Sequence, residues 1–202
     1  MLYSQTELAE IVSTRIAHDI GGNIGALGSA LELIAGNNNE LDEDTLKIIT
    51  AAANTLKARQ RFLRIAFGLN SKSTGADELK SICNDYLATL GNPSTPIKLQ
   101  ISSISPDIAK LVFLGVMSAA DVCMRGGSVS IDLNKTNMII AVKSDYKLIT
   151  SKIAMYQDII DGKKPEEYIS QYIQFIYLRE IIGTEVPMKI SASENEMTLT
   201  IG

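Results

Sequence analysis

Along the first third of the chain, apolar side chains recur at steps of three and four. They fall at Leu8, Val12, Ile16, Ile20, Ile24, Leu27, Leu31 and Ile34. That rhythm lays one stripe along a helix. The polar run GNNNELDED interrupts it, and Asp42 or Asp44 is suited to cap a new helix. A second helical pattern runs from about Asp42 to Gly68 through Leu46, Ile49, Ala53, Leu56, Leu63 and Phe67. Two long helices joined by a short polar turn predict an antiparallel hairpin. An isolated hairpin cannot bury its stripe on both sides. A symmetric dimer, with two hairpins forming a four-helix bundle, is the economical solution.

The stretch LNSKSTG, Leu69 to Gly75, reads as a linker. It divides the chain into a hairpin over 1–69, a linker over 70–76 and a second domain over 77–202. Beyond it helices and strands interleave. Ala76–Leu90 reads as helix and IKLQISSI as strand, and Pro106 opens a helix to about Met124. Gly126-Gly127 turns the chain into SVSIDL, which pairs with NMIIAV through a hairpin around Asn134 to Asn137. Ser151–Ile160 and Pro165–Ile182 read as helices, and VPMKISAS and EMTLTIG close the chain as strands. The expected class is α+β: a helical hairpin, then an α/β sandwich whose mixed sheet is covered on one face by helices.

Composition narrows the function. Apolar residues make up 46% of 202, enough for a core, and the net charge of -4 argues against a nucleic-acid partner. The N-terminus lacks a secretory pattern, and the run from Leu111 to Ala120 is too short to span a bilayer. The expectation is a soluble cytoplasmic protein without membrane contact. Cys83 and Cys123 have no CxxC spacing and read as reduced, buried thiols.

The candidate chemistry lies in RIAHDIGGNIGALGSA, which contains the only histidine, His18. Its glycines match neither G-x-G-x-x-G nor G-x-x-x-x-G-K-[ST], and the helical rhythm runs through them, so no nucleotide loop is expected. At about 100° per residue, His18 lies roughly 200° from Ile16 and Ile20 and points away from the core. Ile11, Arg15, Gly22 and Gly25 share its face, each within roughly 60°. Four helix-interior glycines, Gly21, Gly22, Gly25 and Gly28, sacrifice propensity at about 1 kcal/mol each. Close helix packing, or the approach of another protein, would compensate. One histidine beside one carboxylate is too few for a metal site. An exposed imidazole is a competent phosphoryl acceptor, and Asp19 on the next residue can hold its other N–H and set the tautomer.

STRIAHD followed by SALELI resembles the first helix of the dimerisation and histidine-phosphotransfer domain of two-component sensor kinases. It is more similar still to the ChpT-type histidine phosphotransferases of alphaproteobacteria. RFLRIAFG resembles the end of the family's second helix. LVFLGVMSAADVCMRGGSVSI and QYIQFIYLREIIGTEVPMKIS resemble parts of a kinase ATPase-like domain.

The resemblance implies a homodimer whose second domain is a degenerate GHKL (Bergerat-type) fold. It implies phosphoryl transfer from the receiver aspartate of a hybrid histidine kinase to His18, then to response regulators of the CtrA and CpdR kinds. Asp19 would support the imidazole. Ile11, Arg15, Gly22 and Gly25 would meet the receiver, and Mg²⁺ would be needed only on that partner. A working kinase has asparagine where Ser118 stands, and glycine-rich turns where KSDYKLIT and KKPEEYISQYIQ stand, so no ATP-dependent autokinase activity is expected. The family often has a hydroxyl residue where Gly22 stands, which puts phosphatase activity in doubt. A non-catalytic module that docks and sequesters receivers is the alternative.

Overall fold

A computed structural model describes residues 2–36, 41–68, 74–134, 136–167 and 169–202. Helix α1 spans Gln5–Gly36 and α2 spans Glu43–Phe67. A reciprocal cap starts α1: the Glu7 N–H donates to the Ser4 hydroxyl and the Ser4 N–H to the Glu7 carboxylate. Of the two candidate caps for α2, the chain uses Asp42, which accepts from the Thr45 N–H at 2.7 Å and from the Thr45 hydroxyl at 2.9 Å. Most of the proposed linker, residues 69–73, lies outside the described residues.

The remainder runs α3 (Ala76–Leu87), β1 (Ile97–Ile101), α4 (Ala109–Val122), β2 (Gly127–Leu133), β3 (Met138–Lys143), α5 (Thr150–Ile160), α6 (Ile173–Ile182), β4 (Met188–Ala192) and β5 (Glu196–Ile201). The five strands form one mixed sheet in the order β1-β2-β3-β5-β4, parallel only between β1 and β2. Val129, Ile131, Ile140, Val142, Met197, Leu199 and Ile201 face the helices and are buried. Their alternates, among them Ser128, Ser130, Thr198 and Thr200, form a partly exposed second face. That alternation is the mark of a sheet covered on one side. The Gly126-Gly127 turn is forced by crowding. Gly126 has φ +108°, and a Cβ there would sit 2.4 Å from the Thr95 carbonyl oxygen.

One expected helix is shorter than its pattern. Pro165–Ile182 contains only α6, preceded by a 3-10 turn at Ile169–Tyr172. The Gln171 carbonyl is occupied by side chains, accepting from Arg15, Lys152 and Gln174. The irregular turn thereby faces α1.

The base of the hairpin and the sheet layer share one core. Phe62 of α2 is fully buried, with its ring stacked 3.8 Å from Tyr86 of α3 and 4.8 Å from Phe113 of α4, centroid to centroid. Away from that base the hairpin is bare. Ile24, Leu31, Leu33, Leu46 and Ile48 are exposed, Leu31 at 62%. Phe62→Ala is expected to cost about 3–5 kcal/mol of stability by urea unfolding, because it empties the aromatic stack where the two parts meet.

Candidate functional site

His18 lies on α1 just beyond the region covered by the sheet layer, and its side chain is 85% exposed. Nδ1 faces Asp19 Oδ1 at 3.5 Å. The imidazole therefore has one nitrogen toward a carboxylate and the other, Nε2, toward solvent. Asp19 is only 12% exposed, and its Oδ2 accepts from Arg15 Nε at 2.8 Å. From α2, Arg59 donates to the Asp19 backbone carbonyl at 2.8 Å and reaches the Thr89 hydroxyl and carbonyl beyond α3. The Asp19 carbonyl is thus tied through Arg59 to α2 and to the turn after α3.

The structure corrects two of the expected docking positions. Arg15 is turned inward, with 13% of its side chain exposed. Its Nη1 donates to the Gln171 carbonyl and the Gln174 Oε1, and Nη2 lies 3.9 Å from Asp121 Oδ1. Ile11 is half-buried against the common core. The angular arithmetic puts both on the histidine face, but that face changes surroundings along its length. Ile11 is seven residues before His18, roughly 10 Å down the axis. There the 3-10 turn and α6 pack on α1. Gly22 and Gly25 lie beyond His18 and are exposed.

Packing within the chain does not account for the glycines. Among the described residues, a Cβ at Gly21, Gly22, Gly25 or Gly28 would meet nothing within 4 Å. Of the two compensations open to a glycine-rich helix, close packing against the described residues of this chain is absent at these four positions.

Behind Arg15 lies a buried polar cluster that periodicity alone does not reveal. Asp121 of α4 accepts from Gln174 Nε2 and has Lys152 Nζ at 3.7 Å. Burial raises the Asp121 pKa, with Arg15 and Lys152 pulling in the opposite direction. Burial works against the charge on Arg15, but Asp121 and Asp19 outweigh it and push the guanidinium pKa up. A sequence signal for the cluster did exist. Asp121 is the single charge in the run from Leu111 to Val122, and a charge inside an apolar helix needs partners.

Ser118, at the kinase-asparagine position, is 2% exposed. Its hydroxyl donates to the Leu114 carbonyl, and its own carbonyl accepts from the Tyr156 hydroxyl. Tyr156 is fully buried and stacked on Phe175 at 4.1 Å. Among the described residues, no three His, Cys, Asp or Glu side chains gather as a metal site, and no helix is long and apolar enough to cross a membrane.

No protein-family model matches the chain. Over 196 residues the chain is 26% identical to the protein phosphotransferase ChpT of Brucella abortus (strain 2308), covering 93% of this chain and 90% of that protein. Its fold is similar to a solved structure described as a bacterial phosphotransferase, with TM-score 0.77, 22% identity, and coverage of 99% of this chain and 98% of the other. A looser likeness, with TM-score 0.45 and 15% identity, is to the Acinetobacter baumannii histidine kinase AdeS, covering 91% of this chain and 95% of that one.

The open space around the glycines has a measurable consequence. Gly21→Ala and Gly28→Ala are each expected to raise stability by about 0.5–1 kcal/mol in urea titrations, since alanine restores helix propensity without a clash.

Proposed function

We propose that this chain, which is 26% identical to a ChpT phosphotransferase over nearly its whole length, is a ChpT-type histidine phosphotransferase. It takes phosphate from the receiver aspartate of a hybrid histidine kinase and passes it to response regulators of the CtrA and CpdR kinds. The observation that carries this reading is an exposed imidazole whose Nδ1 faces a carboxylate. With the proton on Nδ1 beside Asp19, the Nε2 lone pair attacks the phosphorus of the aspartyl phosphate. The P–O bond breaks, and its electron pair returns to the receiver carboxylate. The ring gains positive charge as the N–P bond forms, and Asp19 lies next to that charge. Attack by the acceptor regulator's aspartate reverses these events. The receiver's own Mg²⁺ would meet charge on the transferring oxygens, and among the described residues of this chain no three His, Cys, Asp or Glu side chains gather as a metal site.

In this reading the hairpin over 1–69 carries the phosphate and forms the dimer, and residues 77–202 support it from below. The bare apolar end of the hairpin supports a homodimeric four-helix bundle, since exposed Leu31 and Leu46 are suited to a second copy. Gly22 and Gly25 would form the floor on which the receiver lands. The packing around Ser118 supports the absence of an autokinase reaction, because the space beside α4 is filled by Tyr156 and Phe175. The protein would work in the cytoplasm, with its partners.

Incubation with labelled phospho-receiver tests the relay. Wild type is expected to acquire acid-labile label, and His18→Ala none. Unchanged phosphate flow through His18→Ala would sink the relay and leave a docking module. A second measurement addresses assembly. Leu31→Glu is expected to convert a sedimenting dimer to a monomer, and a wild type that sediments as a monomer would overturn the bundle.

A further inference from the structure

The buried cluster beneath α1 connects to the histidine without interruption. Asp121 Oδ1 lies 3.9 Å from Arg15 Nη2, and the fully buried Gln174 amide bridges the same two residues, accepting from Arg15 and donating to Asp121. Arg15 Nε in turn donates to Asp19 Oδ2 at 2.8 Å. That bond occupies one oxygen of Asp19 and leaves Oδ1 facing His18 Nδ1 at 3.5 Å. We propose that Asp121 is a positioning residue for phosphoryl transfer: through Arg15 it fixes the Asp19 carboxylate and thereby the tautomer of His18. The inference rests on the phosphotransfer reading for its kinetic part only.

Three physical points carry it. Arginine on a free helix surface samples many rotamers, and fixing it in one has an entropic cost. Here the counter-charge and the bridging amide hold it in a single buried geometry. Second, removing the Asp121 charge takes away the carboxylate that holds Arg15 inward and leaves Asp19, beside exposed His18, as its counter-charge, so Arg15 would be drawn toward solvent. Third, solvent lies on the His18 side of the junction, because His18 is exposed while Arg15 and Asp121 are not. An Arg15 released from Asp121 would carry its guanidinium outward and either drop Asp19 or compete with His18 for it. Lys152 alone, 3.7 Å from Asp121, cannot substitute, since it makes no contact with Asp19 among the described ion pairs.

The chain's single histidine makes the test direct, because every imidazole nitrogen signal belongs to His18. The 202-residue chain, labelled with ¹⁵N, reports the tautomer by imidazole correlation spectra at a pH where the ring is neutral. Wild type is expected to favour the Nδ1–H form. Asp121→Asn is expected to move the balance toward Nε2–H and to slow transfer from a phospho-receiver about tenfold, as for other outer groups that orient a histidine. Receiver affinity should stay within about twofold, because no residue of the exposed face has changed. Arg15→Lys keeps the charge but cannot span from Asp19 to Gln174 and Asp121, and it should reproduce the tautomer shift even if Asp121→Asn fails to fold. The double variant should be no worse than the more severe single one, as expected for groups acting in one chain.

A wild-type tautomer in either folded variant would overturn the proposal, as would slower transfer with the tautomer unchanged, which marks a merely structural role. If wild type takes up no phosphate at all, the relay reading fails, but the tautomer comparison still decides whether Asp121 positions the ring.

Discussion

A guanidinium held between two carboxylates is the interaction on which the arrangement of this molecule depends. Arg15 has Asp19 of its own helix on one side and Asp121 of α4 on the other. The first contact is a turn-to-turn pair of the kind that stabilises a surface helix by a few tenths of a kcal/mol. The second places the same charge in the junction between hairpin and sheet layer, where water no longer screens it. Burying these charges in one place is tolerable only because the two cations, Arg15 and Lys152, balance the two carboxylates, Asp19 and Asp121, and because Gln174 and the Gln171 carbonyl take up the remaining donors. The same demand explains why the segment before α6 is a 3-10 turn and not a continuous helix. A carbonyl that serves three side chains is not free for the helical ladder.

Much of the architecture is legible in the sequence because it follows from periodicity. The three-four rhythm of Val12, Ile16 and Ile20 does mark the side of α1 that leans on the core, and the alternation in SVSIDL and EMTLTIG does mark strands with one buried face. Asp42 capping α2 is likewise a local matter. What periodicity cannot show is height along the helix. Ile11 and His18 share an angular position, yet one is packed and the other is bare, because the layer beneath α1 ends between them. The inward turn of Arg15 was hidden for a related reason. Its partner is more than a hundred residues away, and only the isolated charge in an apolar helix hinted that Asp121 needed a partner.

The glycines of α1 separate two explanations that sequence alone leaves together. Glycine in a helix is usually read as room for a neighbour, and Gly115 of α4 does illustrate that, with the Ile140 side chain against it. Along Gly21 to Gly28 no such neighbour is found among the described residues. The helix therefore accepts weaker propensity over the stretch that follows its histidine, where the backbone stands open to whatever meets it.

The exposure of His18 also bears on how long anything attached to it could persist. Among the described residues nothing arches over the ring, and the nearest charged partner approaches only Nδ1. A phosphoryl group on Nε2 would stand in bulk water, with no protein wall to slow hydrolysis and no donor to stabilise its oxygens. Its lifetime would then be that of the P–N bond itself, and the yield of onward transfer would depend on how soon a receiver arrives. Such a geometry favours a conduit whose throughput follows the concentration of its partners, and it is poorly suited to storing a signal.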